Sequence, residues 1–345
     1  MTQAPGDIRK RTFGKVMQNF KAPFVRCYAP GDACKQDPIR AHSVQNASTL
    51  ELLQENGHVY TPKMRLAFQG PELEFGLIGR NLATTFHGLC NEHDTEIFRP
   101  IEANPLDLTD DEHLFLLSYR AVLKETHATA KSAVDTQAGY KAGVDEGLFP
   151  DSPCAPGMLA VEHAMLAYTT HMHKLRYDRV QHSKNFSDLS HFIFDLEVGP
   201  TIAACSLLST GRFCQETDSL AYATLNVIPI AATTQMVVSC LKPHEPALRR
   251  TFLKFFRSGD TRECVSYLVL KRCENFVLRP SAFISLTDEQ KNECQPVGWA
   301  SAHRFHIKTA DGWRWWAEAH PTFLMGFFLR LAVLFVVAAF VIISP

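Results

Sequence analysis

Gly88-Leu89-Cys90-Asn91-Glu92-His93-Asp94 is the stretch on which the fold turns. It holds a Cys-x-x-His pair followed at once by an acid, at an expected helix start. Well upstream stands Arg26-Cys27-Tyr28-Ala29-Pro30-Gly31-Asp32-Ala33-Cys34-Lys35, with two cysteines around Pro-Gly-Asp. Pro-Gly-Asp favours a turn, which lets two thiols converge. Cys27, Cys34, Cys90 and His93 then offer three sulfurs and one imidazole. Zn(2+) in a closed structural site takes such a tetrahedral set. The alternative is a group of unrelated free thiols. Ten cysteines in 345 residues are too few for a disulfide-dense scaffold.

Between these segments lie Arg40-Ala41-His42-Ser43-Val44-Gln45 and Asn56-Gly57-His58-Val59-Tyr60. Ala-His-Ser-Val-Gln followed by Gly-Leu-Cys-Asn-Glu-His-Asp-Thr-Glu-Ile-Phe resembles the HNH, or His-Me finger, nucleases. The first third is also similar to a group of bacterial proteins with the order Cys, Cys, His-Ser-Ile-Gln, Gly-His-Val, Cys-Asn-x-His-Asp. The resemblance covers about residues 27–104. It implies a small zinc-stabilised ββα-metal-like module of the treble-clef kind. It also implies that His42, on a strand, acts as the general base, because a neutral imidazole can take a proton from water. A divalent ion, Mg(2+) or Mn(2+), would polarise the scissile phosphate of DNA. Asp94 and His93 match its ligand positions in that resemblance, and His58 is a further candidate. The family's central Asn is missing: Phe86 and His87 precede Gly88, while Asn81 and Asn91 stand off the position. His93 is also claimed twice. If it joins the thiols, the hydrolytic ion is left with Asp94, His58 or His87.

Outward from this module the chain divides by its breakers. Residues 1–26 form a basic arm. Thr109-Asp110-Asp111-Glu112 matches a capping box and predicts a helix to about Gln137. Residues 105–145 are therefore read as a helical connector. Gly139, Gly143, Gly147, Pro150, Pro153 and Pro156 then predict a boundary. A second helix is expected over Met158–Gln181, with strand-like runs at 191–198, 201–209, 222–230 and 234–241 and helical stretches near 246–257 and 261–275. Four close runs predict an antiparallel sheet. Residues 156–300 thus read as an α+β domain, and the whole chain as α+β. His163, His171, His173, His182 and His191 are expected at the surface or along helices. Six further cysteines, Cys205, Cys214, Cys240, Cys264, Cys273 and Cys294, read mostly as buried apolar thiols.

Residues 323–343 are almost continuously apolar, interrupted by Gly326 and Arg330. About 20 such residues span a hydrocarbon core, and a core helix is seldom apolar on every face at this length. A single C-terminal transmembrane helix is expected, preceded by a juxtamembrane segment at 301–322 with Trp313, Trp315 and Trp316. The opening sequence has no apolar signal segment. Arg304, Lys308 and Arg314 lie on the bulk side of the helix. These features predict an inner-membrane protein with its N-terminal bulk in the cytoplasm. The net charge of −1 excludes binding of nucleic acid through a global basic field. Dinucleotide, P-loop, His-Glu-x-x-His and nucleophile-elbow motifs are absent. Two functions from different classes follow as expectations: a membrane-tethered HNH-like nuclease acting against foreign DNA, or a non-catalytic zinc-finger sensor or effector at the membrane.

Overall fold

A computed structural model describes residues 24–287 and 291, except 32, 68–69, 148, 254–256 and 258–260. The basic arm up to residue 23, the juxtamembrane segment and the expected span at 323–343 lie outside the described residues. Among those described, no helix is long and apolar enough to cross a membrane.

The chain is mixed α+β, as expected. Its strands are β1 (Ala41–His42), β2 (His58–Ala67), β3 (Gly70–Gly79), β4 (Thr85–Phe86), β5 (Leu189–Asp195), β6 (Ile202–Cys214), β7 (Ser219–Ile230), β8 (Thr233–Leu241) and β9 (Phe276–Leu278). The longer helices are α1 (Asn91–Ala103), α2 (Asp111–Asp145), α3 (Ala155–Ser183) and α4 (Thr261–Arg272). Seven strands make one antiparallel sheet in the order β3-β2-β9-β6-β7-β8-β5, and β1 pairs with β4 separately. The four predicted runs are β5 to β8. Side chains on β7 alternate between faces. Tyr222 and Ile228 pack under α2, whereas Leu225 and Val227 pack with Val265 and Val269 of α4. Burial on both faces makes this strand apolar almost throughout.

Three features differ from expectation. First, β2 and β3, from the first third, join the sheet of the second half through β9. Tyr60 pairs with Leu278, and Ala203 pairs with Val277. Residues 27–104, 105–145 and 156–296 accordingly belong to one compact unit, Met1–Pro296.

Second, α2 begins one residue later than the capping box predicts. Asp110 is the N-cap and accepts from the amides of Glu112 and His113. Thr109 instead donates its hydroxyl to Asp107 at 2.7 Å.

Third, α2 runs through Gly139 and Gly143 to Asp145. Gly143 lets Phe149 fold back, because a Cβ there would meet the ring at 2.2 Å. Gly147, at φ +71°, supplies the left-handed stop. The Pro-rich stretch is thus the bend of an α2–α3 hairpin.

Candidate metal centre

The centre is assembled by three local devices. Cys90 is the N-cap of α1, with extended φ −72° and ψ 166°, and His93 lies in the first turn. Residues three apart at a helix start share a face, and Cys90 Sγ stands 3.1 Å from His93 Nδ1. The upstream loop is pinned by its backbone. Tyr28 N donates to Gly88 O, and Ile39 N donates to Leu89 O, each at 2.8 Å. Gly88 permits this approach, since a Cβ there would strike the Phe86 ring at 2.2 Å. The turn between the first two cysteines includes Gly31 at φ +84°.

Cys27, Cys34, Cys90 and His93 therefore gather, with their ligand atoms within 4.8 Å of one another. Cys34 Sγ lies 3.9 Å from Cys90 Sγ, and Cys27 Sγ lies 3.8 Å from His93 Nδ1. A tetrahedral ion with Zn–S bonds of ~2.3 Å has S···S edges of about 3.8 Å. The four groups can hold a metal such as zinc. The Cys90 amide also donates to Cys27 Sγ at 3.2 Å, a contact that favours thiolate. Burial, the larger effect, pushes the Cys27 thiol up to about 11, with the amides of Cys90 and Ala29 pulling the other way. A cation supplies the charge that lets such buried sulfurs ionise.

His42 sits next door, on β1, paired with Thr85 of β4. Its Nε2 is buried with no hydrogen-bond partner. Burial lowers its pKa, and Arg120 adds to the lowering, while the Arg80 backbone and Glu102 oppose it. The ring is neutral at neutral pH. Asp94, one residue after His93, is half-buried. Burial raises its pKa, Arg120 lowers it and Glu102 raises it. Arg120 and Glu102 thus act on both candidate groups, and they pair with each other at 2.6 Å. Arg120 is almost wholly buried and its Nη1 is unpartnered.

His58 is exposed, with Nδ1 on the Asn56 carbonyl at 2.7 Å. The His87 ring lies 6.3 Å from that of His127. Among the described residues, the three thiols and His93 are the only such group of metal-ligating side chains. His42, His58, His87 and Asp94 form no second set for Mg(2+) or Mn(2+). His93 is with the thiols.

Asn275, Arg120 and Lys174 were not singled out from sequence. Asn275 donates to Ser43 Oγ, beside His42, at 2.8 Å and to Cys205 O at 2.9 Å, tying the β1 loop to the sheet. Lys174, fully buried, pairs with Asp178 at 2.7 Å and reaches the Ala29 carbonyl of the cysteine loop at 3.4 Å. A cation inside an apolar helical run, as in Leu116-Leu117-Ser118-Tyr119-Arg120-Ala121-Val122, was the available signal. His173, expected along a helix or at the surface, is fully buried between Tyr222 and His244. Compared with protein families, curated proteins and solved structures, the chain matches none.

Proposed function

We propose that Cys27, Cys34, Cys90 and His93 bind one structural zinc ion, and that this ion holds an HNH-like ββα-metal module on the rest of the chain. The observation that carries the reading is the spacing of three sulfurs and one imidazole at tetrahedral-edge distances. All four positions are filled by protein atoms. No coordination site remains for substrate, so the ion folds and orients rather than catalyses. In this reading the chain is a zinc-finger sensor or effector tethered through residues 323–343 to the inner membrane, with its bulk in the cytoplasm. Elemental analysis of the purified full chain should find close to one zinc per chain, falling several-fold in Cys90→Ser. Less than half an equivalent in the wild type would refute the site. Removal of residues 323–343 should move the protein from the membrane fraction to the supernatant; retention there would refute the tether.

A second reading is HNH-like hydrolysis of DNA phosphodiester bonds, favoured by His42. Its imidazole is neutral and its Nε2 unpartnered, as a base that accepts a proton from water requires. The described residues do not assemble ligands for Mg(2+) or Mn(2+), so no step is assigned to such an ion. Plasmid nicking with Mg(2+) or Mn(2+), lost in His42→Ala but not in Arg40→Ala, would support hydrolysis. Absence of nicking by zinc-loaded wild type would leave the effector reading alone.

A further inference from the structure

The three thiols of the metal centre are not equivalent. Cys27 and Cys90 are sealed in the core, at 2% and 1% exposure. Cys34 packs against that core but is only half-buried. Its backbone differs as well. Cys90 is fixed as the N-cap of α1, and its amide donates to Cys27 Sγ at 3.2 Å. Cys34 lies outside any helix or strand, on the loop between the anchoring amides of Tyr28 and Ile39. Gln36 ties this loop to the first turn of α1, its Nε2 donating to Glu92 Oε2 at 3.1 Å. The half-exposed sulfur is thereby held over the start of α1, 3.9 Å from Cys90 Sγ.

A redox-sensing cysteine needs thiolate character, access from solvent and a second sulfur to resolve it once oxidised. Coordination to a cation supplies the thiolate. The loop supplies the access, and Cys90 is the second sulfur. Cys154 and Cys214 are also half-buried, but each sulfur faces a carbonyl: Pro150 O at 4.0 Å and Pro243 O at 3.3 Å. A bond between Cys34 and Cys90 requires their sulfurs to close by roughly 1.9 Å, a shift the loop can make while α1 stays in place.

Resting on the zinc reading above, the geometry points to Cys34 as a site of oxidation by hydroperoxides, resolved by Cys90 into a disulfide that dismantles the metal centre. The Cys34 thiolate attacks a peroxide oxygen: an S–O bond forms, the O–O bond breaks and hydroxide leaves. The Cys90 thiolate then attacks the Cys34 sulfur: the S–S bond forms, the S–O bond breaks and a second hydroxide leaves. The two sulfurs lose two electrons, the peroxide gains them, and both hydroxides take protons from water. Cys27 and His93 remain, two ligands where a closed structural site needs four. A dithiol reverses the bridge by exchange, so the oxidation is a switch rather than damage. The sensor reading thereby acquires an input.

The test uses the full chain in mild detergent, with its zinc content measured first. Less than half an equivalent would refute the zinc reading and this inference with it. On loaded protein, hydrogen peroxide in modest excess should release the zinc to a chromogenic chelator. Peptide mapping after thiol blocking should find Cys34 joined to Cys90, and dithiothreitol should restore both thiols and zinc binding. Cys34→His keeps four ligands without an oxidisable sulfur at that position, so its zinc release should be several-fold slower, whereas Cys154→Ser/Cys214→Ser should match the wild type. Three results would each overturn the inference while leaving the zinc reading intact: loaded wild type that keeps its zinc under peroxide, release with a bridge other than Cys34–Cys90, or release from Cys34→His at the wild-type rate. If Cys34→His holds no zinc, the wild-type map decides alone.

Discussion

Replacing Lys174 by Met should destabilise the protein out of proportion to one contact. The Lys174 ammonium is fully buried, and its partner Asp178 nearly so. Their 2.7 Å ion pair sits beside a second bond, in which the Tyr119 hydroxyl donates to Asp178 Oδ1 at 2.7 Å. Lys174→Met leaves a desolvated carboxylate without its cation, a loss of ~3–5 kcal/mol against a total of ~5–15 for a typical domain. With a urea dependence of ~3 kcal/mol per molar, the unfolding midpoint falls by about 1–1.7 M. Lys174→Met/Asp178→Asn removes the stranded charge and keeps an acceptor for Tyr119. It should recover ~2 kcal/mol or more relative to the single variant. The cysteine loop feels the change too. Losing the bond to Ala29 O, worth ~1 kcal/mol, weakens zinc binding about five-fold. Urea titration of the zinc-loaded wild type and variants is the assay. A single variant within ~1 kcal/mol of wild type, or a double variant no better than the sum of its parts, would refute the reasoning.

Acid should unfold the protein early. Burial holds His127 and His244 at about 4, far below 6.5. Between those values the unfolded chain binds protons that the folded one refuses, so the stability present above pH ~6.5 drains away as the pH falls toward 4. At pH 5 each ring costs up to ~2 kcal/mol. The pH 7 to pH 5 loss in urea stability should therefore shrink by about that much in His244→Gln, and an equal loss in both proteins counts against it. Gly88→Ala should push the Phe86 ring aside and with it the Cys27 loop, an overpacking cost of ~1–3 kcal/mol. Competition with a chromogenic chelator should show at least a several-fold weaker zinc affinity, and wild-type affinity would show that the ring yields freely.

The gathering of three thiols and one imidazole was legible because metal chemistry restricts residue type so severely that spacing and a turn signal sufficed. The strands β5 to β8 were legible because each is a long run between breakers. Other features depend on partners distant in the chain. The three residues of β9 have no period to detect, yet Phe276 and Val277 are fully buried at the middle of the sheet. The Gly- and Pro-rich stretch after α2 carries the same letters whether it links domains or turns a helical hairpin. Only the meeting of Gly143 with Phe149 distinguishes the two. Capping favoured Thr109 on its own pattern, but Asp107 captured that hydroxyl and left the amides to Asp110. Buried Arg120 depends on Glu102, eighteen residues upstream, and buried Lys174 reaches the Ala29 carbonyl of the distant cysteine loop besides pairing with Asp178.

The position of β9 has a consequence for biosynthesis. The β2–β3 hairpin leaves the ribosome early, but its neighbour in the sheet is made some two hundred residues later. Until residues 276–283 emerge, Tyr60 lacks the Phe283 ring it stacks on at 4.2 Å, Glu55 lacks Ser281 and the Leu52 carbonyl lacks Arg279. A nascent chain must therefore carry an open strand edge through most of its translation, the kind of surface that recruits chaperones or pairs with a neighbouring chain. Zinc captured by the cysteine loop during that interval would give the early segment a folded anchor long before its sheet is complete.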